Sequence, residues 1–349
     1  MLSIKQKEIV TTEEKEVVVL SAAASGKTRV LTERARYLLK NKLIEPKELV
    51  IITFTNAAAE EMRERLGEDG KDVYIGTIHS YANYLLLLGG IDTGHLIDNE
   101  EFDEFFELIK KNPEVVKQVD YLLLDEAQDS SDEQFDFILE MIQPKGYMFF
   151  GDLRQSIYGF RGANPETFFE ISQTSGVKTY ELNENYRNGE KILTYAKGFL
   201  KNLGYLLKDG SVSKAPYDGE VVSTQWGLQV VNLIKELPEY KDWFVLTRTN
   251  AELVLCLNTL ERAGIPCSTF RKAQLTTSEL NEKLKENSVK VLTIHTSKGL
   301  ENEYVAVLGA RAYNPEERRI SYVAATRAKK LLVWCKKPQQ KKTIVTDWS

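Results

Sequence analysis

Short apolar runs alternate with amphipathic stretches along the first half of the chain. Each run ends at a polar cluster, as buried strands do, and the stretches between the runs repeat their apolar residues at helical spacing. The predicted strands are EVVVL (16–20), ELVIITFT (48–55), VDYLLLDEA (119–127) and GYMFFGD (146–152), and the predicted helices are TERARYLLK (32–40), AAAEEMRERL (57–66) and DEQFDFILEMI (132–142). Strands and helices in this alternation predict a parallel sheet covered by helices.

The same alternation begins again in the second half of the chain. The stretches that carry it are WFVLTRTN (243–250), AELVLCLNTLERAG (251–264), VKVLTIHTS (289–297), EYVAVLGA (303–310) and RRISYVAATRAKKLLVW (318–334). Before them, LKDGSVSKAPYDGE (207–220) is rich in Gly, Ser, Pro and charge, which is typical of a surface connection. The pattern therefore predicts an α/β fold in two tandem domains, residues 1–183 and 184–349.

Composition excludes several classes of protein. The chain has 349 residues, of which 42% are hydrophobic and 28% are charged. This composition is typical of a soluble globular protein. No stretch approaches the ~18 apolar residues of a membrane span, and the charged N-terminus does not resemble a secretory signal; we expect a cytoplasmic protein without a membrane partner. The three cysteines and three histidines lack zinc-ligand spacing, which favours free thiols. The net charge of -5 argues against a protein that coats nucleic acid, but it allows a basic cleft.

The stretch SAAASGKT (21–28) stands between a predicted strand and a predicted helix. A phosphate-binding loop needs backbone N–H groups around a concavity, a helix N-terminus, a lysine for the β/γ oxygens and a hydroxyl for Mg²⁺. Gly26, Lys27 and Thr28 match the end of such a loop, but alanines occupy positions 22–24, where glycine would ease a positive φ. Taken alone, the stretch fits a nucleotide site and an alanine-rich helix start equally well.

The stretch YLLLDEAQD (121–129) favours the nucleotide site. Asp125 and Glu126 follow an apolar strand, at the edge where a parallel sheet would present the Mg²⁺ and the attacking water of a nucleotide. The first carboxylate could hold the metal, and the second could take a proton from the water. The alternative is a solvated helix cap, because acidic residues suit helix N-termini. The upstream Gly-Lys-Thr makes the site the better interpretation.

Together with further stretches along the sequence, these residues make the chain resemble superfamily 1 DNA helicases of the UvrD/Rep type. The matching stretches, in the motif order of that family, are IKQKEIV (4–10), ASGKTRVL (24–31), ITFTNAAAEEMRERL (52–66), GTIHSYANYLL (76–86), LLLDEAQD (122–129), GDLRQSIYGFRGANP (151–165), LNENYRN (182–188), VKVLTIHTSKGLENEYV (289–305) and EERRISYVAATRAKK (316–330). The resemblance covers nearly the whole chain. It implies two RecA-like P-loop NTPase domains in tandem, each a parallel sheet flanked by helices.

The resemblance also implies a role for each matching residue of an ATP site. The implied ligands are Gln6, Ser25, Gly26, Lys27, Thr28, Arg29, Tyr186, Gly299 and Glu301 for ATP, and Thr28 and Asp125 for Mg²⁺. The implied catalytic residues are Lys27, Glu126, Gln155, Arg187 and Arg327. Among them Gln155 would sense the γ-phosphate, and the two arginines would reach in from the second domain. Hydrolysis would then open or close a cleft between the domains.

A second group of matching residues would contact single-stranded DNA. It comprises Phe54, Asn56, Thr77, His79, Tyr158, Phe160, Arg161, His295 and Thr296. Aromatic side chains stack on bases without reading sequence, and polar side chains hold phosphates. Taken alone, Phe54 and Phe160 are better explained as core aromatics than as base platforms, and His295 could be an ordinary core histidine. The motif context favours DNA contact instead. Phe160 stands where the family usually has tryptophan, and alanines stand at 22 and 24 where it usually has glycine.

The resemblance also shows what this chain lacks. Only short segments occupy the two places where the family inserts accessory domains, and residues 89–119 would form a reduced helical insertion. We therefore expect an ATP-dependent single-stranded DNA translocase and DNA helicase, 3′-to-5′ by resemblance, acting on single-stranded or tailed DNA, with a possible protein partner that assists unwinding. The alternatives are a nucleotide-switched binding subunit that hydrolyses slowly and a motor directed at RNA. The sequence does not predict an oligomeric state.

Overall fold

The chain folds into two compact units that do not follow a single cut in the sequence. The structure is a computed structural model, and it describes residues 2–99, 101–201, 203, 210–237, 239–272 and 275–336. Unit 1 comprises Met1–Arg187, Leu200–Lys214 and Arg271–Asn281, and unit 2 comprises Asn188–Phe199, Ala215–Phe270 and Glu282–Ser349. The domain boundary predicted between residues 183 and 184 remains a proposal.

Unit 1 is built on a six-stranded parallel sheet. Its strands are β1 (Glu16–Ser21), β2 (Leu49–Ile52), β3 (Tyr74–Gly76), β4 (Tyr121–Leu124), β5 (Tyr147–Gly151) and β6 (Lys178–Leu182). They lie in the order β3-β2-β4-β5-β1-β6, and every neighbouring pair is parallel. The four strands predicted in this half are β1, β2, β4 and β5, so the predicted parallel α/β fold is confirmed.

Helices cover both faces of this sheet. They are α1 (Ile4–Thr11), α2 (Lys27–Lys40), α3 (Asn56–Leu66), α4 (Ile78–Leu88), α5 (Gly94–Asp98), α6 (Glu104–Lys111), α7 (Asp132–Asp136), which continues as a π-helix (Phe137–Ile142), and α8 (Pro165–Gln173). Consecutive strand residues point to opposite faces. Val18 therefore packs with the helices of one core, and Val17 and Val19 with those of the other. The polar residues that follow the strands lie at the carboxyl edge of the sheet, where they can contact a ligand.

Unit 2 repeats the architecture with a second six-stranded parallel sheet. Its strands are β9 (Glu220–Gln225), β10 (Trp243–Thr247), β11 (Cys267–Ser268), β12 (Val289–Thr293), β13 (Asn302–Leu308) and β14 (Ala328–Lys336), in the order β11-β12-β10-β13-β14-β9. The helices of this unit are α9 (Glu190–Gly198), α10 (Leu228–Glu236), α11 (Asn250–Arg262) and α13 (Pro315–Ala325). The predicted stretch 318–334 contains the end of helix α13 and most of strand β14. Cys256 and Cys335 are buried, Cys267 is half-buried, and all three are free thiols.

Two later segments of the chain return to unit 1. In the first, β8 (Val212–Ser213) pairs in parallel with β7 (Glu184–Asn185), so part of the predicted surface connection forms a short strand. The second contains the start of helix α12 (Thr277–Lys285), where the backbone N–H and hydroxyl of Thr277 both donate to the Glu60 carboxylate. Residues 207–209 and the C-terminus beyond residue 336 lie outside the described residues.

The region predicted as a reduced insertion, residues 89–119, carries the short helices α5 and α6. Phe105, Phe106 and Ile109 of α6 are buried in the same core as β2 and β4. The segment is therefore part of unit 1. Among the described residues, no helix combines the length and the apolar character that crossing a membrane requires.

Candidate nucleotide and nucleic-acid sites

The loop between β1 and α2 has the shape of a phosphate cradle. Gly26 caps the N-terminus of α2 in the left-handed region, with φ 82°, and Lys27 is the first residue of the helix. Of the three alanines, only Ala24 has a positive φ, at 55°. The Ser25 hydroxyl is buried and has no hydrogen-bond partner among the described residues. A buried hydroxyl beside a helix N-terminus suits a phosphate oxygen, because it leaves an unused donor.

Replacing Ala24 by glycine should stabilise the protein. An L-residue in the left-handed region is strained by about 1–2 kcal/mol, and glycine removes that strain at a smaller entropic cost. We expect the free energy of unfolding to rise by up to about 1 kcal/mol, measured by thermal or denaturant unfolding. Ala23→Gly is the matched control: Ala23 is buried and is not among the residues with positive φ. It should lower stability, and equal effects of both changes would contradict the argument.

Lys27 lies directly opposite the acidic pair at the end of β4. Its Nζ is 2.8 Å from Glu126 Oε1, and the two side chains are 11% and 29% exposed. Burial disfavours the charged ammonium, but Glu126 and Asp125 outweigh it and raise the pKa of Lys27. Burial raises the pKa of Asp125 to about 6, and repulsion from Glu126 adds to this while Lys27 opposes it. Two carboxylates held this close favour a further cation, which is what a metal–nucleotide complex brings.

The donor set also fits Mg²⁺. Within the described residues no group of three or more His, Cys, Asp or Glu side chains could enclose a metal ion. Mg²⁺ commonly takes only one or two protein ligands and completes its shell with phosphate oxygens and water. Asp125, nearly buried at the carboxyl end of β4, and Thr28, in the first turn of α2, match that requirement.

The turn after β5 presents Gln155 toward the same edge of the sheet. The Gln155 amide donates to Asp152 Oδ2 at 2.7 Å. Arg154 also anchors this turn: its guanidinium donates to Asp152 Oδ1 and to the carbonyl of Ser21, each at 2.6 Å. Arg154 was not among the predicted site residues. A basic residue three positions after a buried strand was the only signal in the sequence for it.

Three of the predicted ATP ligands gather around the start of α1. The Gln6 side chain is buried; its Oε1 accepts from Ser3 N, and its Nε2 donates to the carbonyl of Ser25 at 2.9 Å. Tyr186 is half exposed and attached to the same region, because its backbone N–H donates to Ala24 O. Arg29 is exposed, and its charge acts on the Tyr186 hydroxyl. The loop, Gln6, Arg29 and Tyr186 therefore lie close together in unit 1.

Most of the predicted DNA contacts of unit 1 lie together. The rings of Phe54 and Tyr158 stack at 5.0 Å, Phe160 meets Tyr158 edge-on at 6.0 Å, and the Arg161 guanidinium lies 5.6 Å from the centre of the Tyr158 ring. Phe160 is 67% exposed, which is unusual for phenylalanine and suits a base platform. Asn56 is exposed at the first position of α3.

A cavity of about 660 Å³ extends from two of these residues, Phe54 and Arg161, to the acidic pair. Its lining includes Phe54, Thr77, His79, Arg161 and Glu126. The Thr77 hydroxyl caps α4 by accepting from Ser80 N, and His79 Nε2 lies 3.1 Å from Asp103 Oδ1. His79 also stacks on Phe106 of α6. A ligand in the cavity would therefore touch both the predicted DNA-contacting residues and Glu126, the predicted general base.

The predicted residues in unit 2 occupy the loop after β12 and the end of α13. Arg327 is 1% exposed; its Nε donates to Val323 O and its Nη1 to Leu300 O. The Glu301 carboxylate pairs with Lys329 at 3.2 Å, and Gly299 has φ 81°. Two further predicted residues, His295 and Thr296, precede them; the Thr296 hydroxyl lies 2.9 Å from that of Thr293.

Arg187 lies in unit 1, at the end of its first segment. Its backbone N–H donates to the Asn185 side chain, which in turn donates to the carbonyl of Ala23. These bonds attach the segment around Arg187 to the phosphate loop.

Two models of one protein family match the sequence. The UvrD/REP helicase N-terminal domain matches residues 2–112 and 102–175, and the UvrD-like helicase C-terminal domain matches residues 269–337. Together these matches cover more than half of the chain. The predicted resemblance is thus confirmed at the level of the family.

Similar proteins are DNA helicases by name. They include a "Probable DNA helicase" of Mycoplasma pneumoniae, 27% identical over 95% of this chain and 82% of the relative. A "Probable DNA helicase II homolog" of Mycoplasma capricolum is 26% identical over 72% of this chain and 49% of the relative. The "ATP-dependent DNA helicase PcrA" of Leuconostoc citreum is 26% identical over 76% and 49%. The chain spans about half the length of the last two.

Proposed function

The chain belongs to the UvrD/REP helicase family, and from this membership we propose that it is an ATP-driven motor that moves along single-stranded DNA. The observation that carries the proposal is that Glu126, which contacts Lys27, lines a cavity that also reaches Phe54 and His79. A nucleotide-dependent change at Glu126 has a short route to the DNA contacts, because both groups stand at the carboxyl edge of the same sheet.

The residues of unit 1 supply the chemistry of hydrolysis. When bound, Mg²⁺ neutralises charge on the β/γ phosphates. Lys27 breaks its contact with Glu126 and binds those phosphates instead. The Glu126 carboxylate can then accept a proton from the attacking water. Asp125 and Thr28 orient the metal side of the nucleotide. Ser25 Oγ, Gly26 and the first turn of α2 hold phosphate oxygens. Gln155, fixed by Asp152, senses the γ-phosphate.

Two arginines complete the proposed site. Arg187 and Arg327 would meet the charge that develops on the transferred phosphoryl group. Tyr186 would stack on adenine beside Gln6 and Arg29, while Gly299 and Glu301 would lie by the ribose or phosphates. Because unit 2 contributes Arg327, the cycle of binding and hydrolysis would move one domain relative to the other, and this movement would drive translocation.

The direct test is ATP turnover with and without nucleic acid. We expect single-stranded DNA to stimulate hydrolysis strongly and added salt to weaken the stimulation, since phosphate contacts release counterions. An oligonucleotide of identical sequence in RNA is the matched control. Equal stimulation by RNA would favour an RNA-directed motor, and slow hydrolysis that DNA leaves unchanged would favour a nucleotide-switched binding subunit.

Translocation should be efficient and unwinding weak. Opening each base-pair step costs on the order of 1.4 kcal/mol and needs a surface that holds the junction. The described parts of the two insertion sites hold only short helical elements. They are α5, α6 and a 3-10 turn (Pro113–Val115) in one site, and α12 in the other. We expect 3′-to-5′ movement on single strands, with little displacement of a long duplex by the lone chain, measured by translocation and strand-displacement assays on matched 3′- and 5′-tailed substrates. Processive unwinding by the monomer would contradict this expectation.

A further inference from the structure

Gln128 is a fully buried amide two residues after the proposed base. It is 0% exposed, and it belongs to the short 3-10 turn Ala127–Asp129 that follows β4. Its Nε2 donates to Glu126 Oε2 at 2.5 Å and to Asp129 Oδ2 at 3.3 Å. The other end of the amide, Oε1, accepts from the backbone N–H of Asp152 at 2.9 Å. Gln128 thus joins the proposed base to the turn after β5.

The bond from Asp152 fixes which way the Gln128 amide points. A backbone N–H can only donate, so the atom facing Asp152 must be the amide oxygen. The amide nitrogen is then directed at the carboxylates of Glu126 and Asp129. A donor to an ionised carboxylate forms the stronger, charge-assisted kind of hydrogen bond.

The Glu126 carboxylate is held from two sides. Oε1 is paired with Lys27 and Oε2 accepts from Gln128. Glu126 itself has φ 54° and ψ 39°, a left-handed conformation that is uncommon for a residue other than glycine. When a nucleotide draws Lys27 away, Gln128 still holds the carboxylate in place.

The sequence makes room for this arrangement at Gly151. A Cβ at that position would lie 2.8 Å from Gln128 Oε1 and 2.5 Å from a ring carbon of Phe168. Only glycine therefore lets the end of β5 approach Gln128 closely enough for the Asp152 N–H to reach it. Asp152 in turn accepts from the Gln155 amide, so one hydrogen-bonded path runs from Glu126 through Gln128 and Asp152 to Gln155.

We propose that Gln128 is a positioning residue that orients the Glu126 carboxylate toward the attacking water and ties it to the turn that carries Gln155. The inference rests on the proposed function, because it assigns Glu126 the role of base. The position of the carboxylate then depends on Gln155, and the γ-phosphate sensor and the base adopt their working geometry together. Removing the amide should slow the chemical step and leave nucleotide binding intact.

The test compares Gln128→Met with wild type in the full chain. Methionine keeps the length of the side chain and removes both polar ends. We expect kcat to fall about a hundredfold, as for a catalytic group displaced by about 1 Å, while affinity for a fluorescent ATP analogue stays within about threefold. Gln128→Ala, which cannot crowd Phe168, should behave the same way. Gln173→Met, the same chemical change at an exposed position of unit 1, should leave turnover unchanged.

A double-mutant cycle with Glu126→Gln separates positioning from a structural role. If Gln128 acts through Glu126, Gln128→Met should add little to the loss already caused by Glu126→Gln. Additive losses, turnover within about threefold of wild type, or loss of nucleotide binding in both Gln128 variants would overturn the inference. An inactive wild type, or normal hydrolysis by Glu126→Gln alone, would instead contradict the proposed function.

Discussion

Lys27→Ala is expected to abolish ATP hydrolysis while the protein remains folded. The substitution removes the cation that faces Glu126 at 2.8 Å and that would contact the β/γ phosphates. Without it, the carboxylates of Asp125 and Glu126 lose their nearest opposing charge, so the pKa of Asp125 should rise further. Binding of a metal–nucleotide complex should weaken because the phosphates lose their lysine contact. Steady-state phosphate release measures the loss of hydrolysis, and a thermal melt of the same sample shows whether the variant is folded.

The matched control for this change lies on the same helix. Lys40→Ala removes a lysine from the last turn of α2, where the side chain is 62% exposed and pairs with Asp69. Exposed pairs of this kind contribute little to stability, so the control should retain wild-type turnover. Turnover retained by Lys27→Ala would show that the loop between β1 and α2 is not the nucleotide site.

Arg187→Ala and Arg327→Ala should each lower turnover by about a thousandfold, because an arginine finger meets charge that develops only in the transition state. Nucleotide affinity should fall much less, and the comparison of kcat with binding affinity decides the role. Weaker binding with normal turnover at saturation would make these arginines ground-state ligands instead.

Arg327 needs a control for folding, since its guanidinium is buried and holds the carbonyls of Val323 and Leu300. Arg327→Lys keeps the charge but loses the planar fork, so it should preserve more stability than activity. Arg262→Ala removes an exposed arginine at the end of α11 and should change neither property.

Local signals allowed most strands of the unit 1 sheet to be predicted. Strong apolar runs identified β1, β2, β4 and β5, because a buried parallel strand needs continuous apolar residues. β3 and β6 were missed: the first has only three residues, and the second, KTYEL, is half polar. The helix predicted over 132–142 is correct in position, yet its second half, Phe137–Ile142, is a π-helix. A π-helix is rare and so short that its apolar spacing is not distinguished from that of an α-helix.

The site shows the same division between local and distant information. Gly-Lys-Thr and the acidic pair are short stretches with their own chemistry, and they could be identified directly. Gln128 and Arg154 could not, since their partners lie 24 and 133 residues away, at Asp152 and Ser21. The contact of His79 with Asp103 is hidden for the same reason. Positions 22–24 are all alanine, so the residue type does not indicate which of them adopts the left-handed conformation. In the structure it is Ala24.

The three-part composition of unit 1 has a consequence for synthesis on the ribosome. Domains usually fold from the N-terminus as they emerge. Here the sheet of unit 1 is complete at β6, but Val212 and Thr277 supply the last hydrogen bonds to Asn183 and Glu60. Unit 1 therefore cannot be finished until residue 281 has left the ribosome, when much of unit 2 is already available. The nascent chain must carry an incomplete first unit through most of its elongation.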